Sequence, residues 1–149
     1  SGGGFRSAAN KGITTAITDL ASKLKASSDF DATKVDKVAK TLTNYYMAAI
    51  EAIDYNKDAD VGKRSEGYID TSFSYKDADG NIRTESTNYY KKTVKKEKNS
   101  TGYADAGNIK HDSLGIAIEE SFKGTDTYNC TLNVAVLIEK FASFYNALK

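Results

Sequence analysis

The chain has 149 residues, a net charge of +1, 40% hydrophobic and 28% charged residues. That length carries one domain with a proper core, and the composition is that of an ordinary globular chain, which excludes a disordered polymer. No apolar run approaches the roughly 18 residues a membrane span needs, and the near-zero charge excludes a global attraction to nucleic acid or anionic lipid.

The rare residues narrow the chemistry further. There is one Cys, one Met, no Pro and no Trp, against ten Tyr, and His111 is the single histidine. One cysteine forms no internal disulfide, and a thiolate or imidazole metal centre is excluded by counting. The absence of Pro points to long regular elements with few rigid turns. Ser1-Gly2-Gly3-Gly4 has neither a start Met nor an apolar leader, which reads as processing, truncation or a cloning residue; residues 1–6 are taken as a Gly-rich N-terminal segment.

Residues 7–54 read as a helical hairpin. Ile13, Ile17, Leu20 and Leu24 recur at four-three-four spacing, predicting a helix over about 7–25. After the polar link 26–29, Asp31 fits the N-cap of a second helix carrying Val35, Ala39, Leu42, Tyr46, Ala49 and Ile53. Val38, Tyr45 and Ile50 widen that stripe beyond a two-helix seam, so the helix is expected to pack on more than its hairpin partner.

Residues 66–131 read as a β region. Ile69, Thr71, Phe73 and Tyr75 alternate with Asp70, Ser72 and Ser74, the period of a half-buried strand. Asp77-Ala78-Asp79-Gly80-Asn81 supplies the chemistry of a tight reversal, and a second strand follows from about Ile82 to Val94. Residues 98–112 look loop-like, rich in Asn, Ser, Gly and Asp. Leu114, Ile116 and Ile118 resume alternation, then a turn at 123–126 leads into a strand with Tyr128, Cys130 and Leu132. Residues 132–149 end the chain as a helix bearing Val134, Leu137, Ile138, Phe141, Tyr145 and Leu148, with its start near Asn133.

Candidate sites are sparse. His111 lies in a polar loop and Cys130 at an apolar strand position, where a buried thiol acts as a small hydrophobe. Asp54, Asn56, Asp58 and Asp60 offer oxygen side chains at positions 1, 3, 5 and 7 of a calcium loop, and this run of about seven residues resembles an EF-hand or dockerin-like loop. Ala59 stands where the loop wants Gly, and Ser65 where it wants a bidentate Glu, so a solvated linker is the simpler reading and calcium a weak candidate. Asp77, Asp79 and Asn81 also suggest a calcium triplet, but the hairpin explains them. Lys91, Lys92, Lys95, Lys96 and Lys98 beside Tyr89 and Tyr90 form the sharpest charge feature. A strand splits them between two faces, and the tract has no Arg, which argues against nucleic acid and for an edge-strand guard.

The expectation is therefore one α+β domain: a helical hairpin, an antiparallel sheet of about four strands, and a C-terminal helix packed on one sheet face. No residue marks a catalytic centre and no cofactor is implied. The expected role is a non-enzymatic structural subunit of an extracellular or viral assembly, a filament or surface layer, associating with itself or another protein. The alternative is a monomeric binding module of a bacterial surface protein or lipoprotein, presenting the 77–81 hairpin tip. An extracellular or cell-surface location is expected, with virion or cytoplasm as the alternative.

Overall fold

The computed structural model describes residues 2–56, 64–69, 72–86, 90–95, 98–99, 102–103, 107–111, 114–121 and 127–148. It is a mixed α and β structure with three helices, α1 (Gly2–Lys25), α2 (Ala32–Ala52) and α3 (Val134–Ala147). Between α2 and α3 run short antiparallel strands: β1 (Ile53–Asn56), β2 (Arg64–Ile69), β3 (Ser72–Lys76), β4 (Ile82–Ser86), β5 (Tyr90–Lys95), β6 (Lys98–Asn99), β7 (Gly102–Tyr103), β8 (Gly107–His111), β9 (Ile116–Ser121) and β10 (Thr127–Leu132).

Local sequence explains the helix boundaries. The Asp31 carboxylate accepts from the Lys34 N–H at 3.1 Å, the geometry of an N-cap, and starts α2 where expected. Asn133 caps α3 in the same way, accepting from the N–H groups of Ala135 at 2.9 Å and Val136 at 3.3 Å. Two boundaries differ from the sequence reading. Helix α1 begins at Gly2, taking in glycines whose intrinsic propensity disfavours helix. Helix α2 ends at Ala52, and Ile53 instead opens β1, in register with Ile69 of β2. Pairing with a neighbouring strand outweighs the helical spacing there.

Helix α2 is the centre of the core. Val35, Val38, Leu42, Tyr45, Tyr46, Ala49 and Ile50 are all buried, too wide a band for one partner. It packs against α1, β3 and α3, the wider packing that Val38, Tyr45 and Ile50 indicated. Ala9, Ile13, Ile17 and Ala21 of α1 join it, with Leu20 and Leu24 half-buried at the margin. Tyr45 meets Phe73, Tyr75 and Phe144 edge-on, with ring centroids 5.2, 5.2 and 6.0 Å apart.

The β region is a set of antiparallel ladders, in the orders β1-β2-β5, β8-β9-β10, β3-β4 and β6-β7. One sheet of about four strands is not what these pairings describe. Strands β3 and β4 pair antiparallel across the expected reversal at 77–81, and β2 pairs with β5 in a separate ladder. Phe73 and Tyr75 face the core while Ser72, Ser74 and Lys76 are exposed, as the alternation required. The segment 98–112 is less loop-like than its composition: it holds β6, β7 and β8. Polar residues there hid strands whose formation depends on the ladder, β8 pairing with β9 from Gly107–Glu120 to His111–Ile116.

Two packing details are testable. Gly12 of α1 lies so close to the Cys130 backbone that an added Cβ would overlap the Cys130 carbonyl oxygen. Gly12→Ala should therefore lower the melting temperature despite alanine's helix advantage of about 1 kcal/mol, a net destabilisation of about 1–3 kcal/mol as in other overpacked sites. The Tyr46 hydroxyl, fully buried, has no hydrogen-bond partner among the described residues, and burial raises its pKa. Tyr46→Phe should keep or raise stability, by up to about 1 kcal/mol. Leu42→Ala on the same helix should cost about 2–5 kcal/mol; denaturant titration of both variants compares the signs.

Candidate functional site

Among the described residues an open groove of about 860 Å³ lies between α1 and α3, floored by β10. One wall is the outer face of α1, with Lys11, Thr15 and Asp19 about one helical turn apart along a shallow spiral row. The small residues Ala8, Gly12 and Ala16 line the groove beside them. Cys130, Thr131 and Leu132 of β10 form the bottom. The other wall is α3, where Val134 and Ile138 stand 60% and 48% exposed.

The exposure of Val134 and Ile138 departs from the sequence pattern. Their spacing puts them on the apolar stripe of α3, yet the stripe is wider than its partner. Leu137 and Phe141 are buried against the core, whereas Val134 and Ile138 fall beyond its edge. Sequence reasoning missed the groove for this reason. Its one visible sign was an apolar stripe on α3 broader than a single contact requires.

The hairpin tip is a built structure of a different kind. Asp77 is 7% exposed, and its Oδ1 accepts from the N–H groups of Asn81 at 2.9 Å and Asp79 at 3.0 Å. Its Oδ2 accepts from Arg83 Nε at 3.2 Å. The Gly80 N–H closes the turn onto the Asp77 carbonyl at 3.1 Å, and Gly80 takes φ +85°, the left-handed conformation that glycine supplies. The tip is fastened to α2: the Ala78 N–H donates to Thr41 Oγ1 at 3.0 Å, and Lys37 pairs with Asp79 at 3.4 Å. The backbone N–H of Asn81, with that of Asp79 and the Arg83 guanidinium, holds the Asp77 carboxyl below its ordinary pKa against the opposing effect of burial. Asp77 thus holds the turn together.

The other sequence candidates are dispersed. Asp54 and Asn56 lie in β1, opposite Tyr68 and Glu66, while Asp58 and Asp60 lie outside the described residues. Among the described residues no group of three or more His, Cys, Asp or Glu side chains is placed to hold a metal. His111 ends β8 opposite Ile116, whose β10 partner is Leu132, while Cys130 pairs with Ile118. Strand β9 therefore separates the two, at about 10 Å across the ladder, beyond direct hydrogen-bond reach. Tyr90, Lys91, Lys92 and Lys95 lie on β5 and Lys98 on β6, with Tyr89 and Lys96 outside the described residues. Strand β5 pairs with β2 on one side and lies close to β8. Among the described residues no helix is long and apolar enough to cross a membrane.

Comparison with protein-family models, curated proteins and solved structures finds no match to this chain. Its function must accordingly be read from the groove, the hairpin and their chemistry.

The depressed Asp77 pKa has a definite pH signature. A carboxyl whose folded pKa lies below its unfolded value stabilises the fold above the unfolded value, about 3.9, and that contribution is lost as pH falls through the folded pKa. The melting-temperature difference between the parent chain and Asp77→Asn should be largest above about pH 5 and shrink steadily below about pH 4. A difference independent of pH would contradict the assigned hydrogen bonds.

Proposed function

We propose that the chain is a non-enzymatic structural subunit of an extracellular or viral assembly, such as a filament or surface layer, and that it associates with a second copy of itself through the α1/α3 groove. The observation that carries this reading is the placement of Val134 and Ile138. Two large apolar side chains project beside an open cavity on the same face of the molecule. A surface holding both projection and recess is suited to meeting its own copy, as a two-fold contact requires. Because about half of each side chain is still exposed, leaving them in water forgoes about 1 kcal/mol for each that a contact would fully bury.

The same reading takes the β region as one antiparallel layer behind the helices, finer than the separate ladders. The closeness of β5 to β8, which would join β1-β2-β5 to β8-β9-β10, supports it. The alternative role, a monomeric module presenting the hairpin tip, has less support, because Asp77 is buried and its carboxylate is engaged within the turn.

Light scattering over a concentration series tests the association. The parent chain should gain mass with concentration, and Ile138→Asp or Val134→Asp should weaken association at least tenfold while leaving the melting temperature within a few degrees. A parent chain that stays strictly monomeric at millimolar concentration would favour the monomeric module.

A further inference from the structure

The line of charges on the groove wall specifies how two copies meet. Lys11, Thr15 and Asp19 are exposed on one face of α1 and all three line the groove. At 1.5 Å per residue the two charges stand about 12 Å apart along the helix, too far to pair with each other. Among the described residues the ion pairs are Lys25–Asp36, Lys37–Asp79 and Arg83–Asp77, so Lys11 and Asp19 hold unlike charges toward the groove without an ion pair there. Thr15 sits midway between them, four residues from each.

An antiparallel two-fold arrangement satisfies this pattern and a parallel one does not. If two α1 helices cross head to tail with the axis at Thr15, residue i of one copy faces residue 30 minus i of the other. Lys11 then faces the second copy's Asp19, and Asp19 faces its Lys11, giving two identical pairs from one contact. Lys23, also on the groove wall, faces Ser7, so no like charges are opposed. A parallel pairing in register sets Lys11 against Lys11 and Asp19 against Asp19. The small residues Ala8 and Ala16 line the same groove and leave room for a helix, and the exposed Val134 and Ile138 border it on the facing wall.

We infer that the groove is the interface of a closed homodimer in which two α1 helices lie antiparallel about Thr15, joined by reciprocal Lys11–Asp19 pairs. This rests on the self-association proposed above and names the partner, its orientation and its register. Because an isologous contact closes on itself, the dimer is a building block, and growth into a filament or layer would use another surface.

Charge reversal on the full chain tests it, with mass read by sedimentation equilibrium at low salt and folding checked by circular dichroism. Lys11→Asp alone opposes acidic groups at both pairs, and Asp19→Lys alone opposes basic ones; each should weaken dimerisation at least tenfold. An equimolar mixture of the two variants should recover dimers. The acid introduced by Lys11→Asp in one variant then faces the lysine introduced by Asp19→Lys in the other, and the two unaltered residues of the pair face each other as in the parent. The double variant Lys11→Asp/Asp19→Lys should also dimerise, with the pairs reversed. If either single reversal disturbs folding, Lys11→Gln and Asp19→Asn replace them, each expected to weaken the dimer several-fold. A parent dimer unaffected by single reversals, or a mixture that stays monomeric, overturns the antiparallel arrangement while self-association stands. A monomeric parent chain overturns both.

Discussion

The burial of α2 on several sides is the constraint from which the rest of the structure follows. Val35, Val38, Leu42, Tyr45, Tyr46 and Ile50 leave water together, and each large apolar side chain fully buried contributes on the order of 1.5–3 kcal/mol toward holding three other elements in place. The aromatic edge contacts around Tyr45 supply direction that area alone does not, because rings packed edge-on tolerate little sliding. With α1 on one flank, and α3 and β3 on the others, α2 sets where every other helix and the hairpin can lie.

Polar groups refine this arrangement more than they drive it. The ion pairs Lys25–Asp36 and Lys37–Asp79 have exposed members and contribute little in water. Asp77 is different because its carboxylate is buried and accepts backbone donors within its own turn. It converts the flexible sequence 77–81 into a rigid tip that Thr41 of α2 can hold. Removing water from a carboxylate is costly unless donors replace it, and here the turn itself supplies them.

The groove results from a mismatch between elements packed for other reasons. At Gly12 the α1 backbone approaches β10 as closely as a missing Cβ allows, while the groove between α1 and α3 stays open. Helix α3 turns only Leu137 and Phe141 fully inward, so its stripe overhangs the core edge at Val134 and Ile138. An overhang beside a recess, bordered by unlike charges one helical turn to either side of a neutral midpoint, has the symmetry of a surface that meets its own copy. A lone apolar patch lacks that register, since hydrophobic attraction is not directional.

Much of this could be read from the sequence, and the boundary between what could and could not has a physical cause. Helix stripes, the caps Asp31 and Asn133, the Asp-Gly reversal and the alternation at Phe73 and Tyr75 depend on residues near in sequence, where 3.6- and 2-residue periods and capping chemistry act directly. The absence of a thiolate or imidazole metal centre follows from counting cysteine and histidine alone. The end of α2 at Ala52, the strands within 98–112 and the exposure of Val134 and Ile138 depend on which element lies alongside. A backbone group takes its partner from whichever strand the fold brings near, and an apolar side chain is buried only if the opposing surface extends far enough to cover it. Which apolar surface stays open is in the same way a matter of tertiary packing, and it is the one between the outer wall of α1 and the overhanging edge of α3.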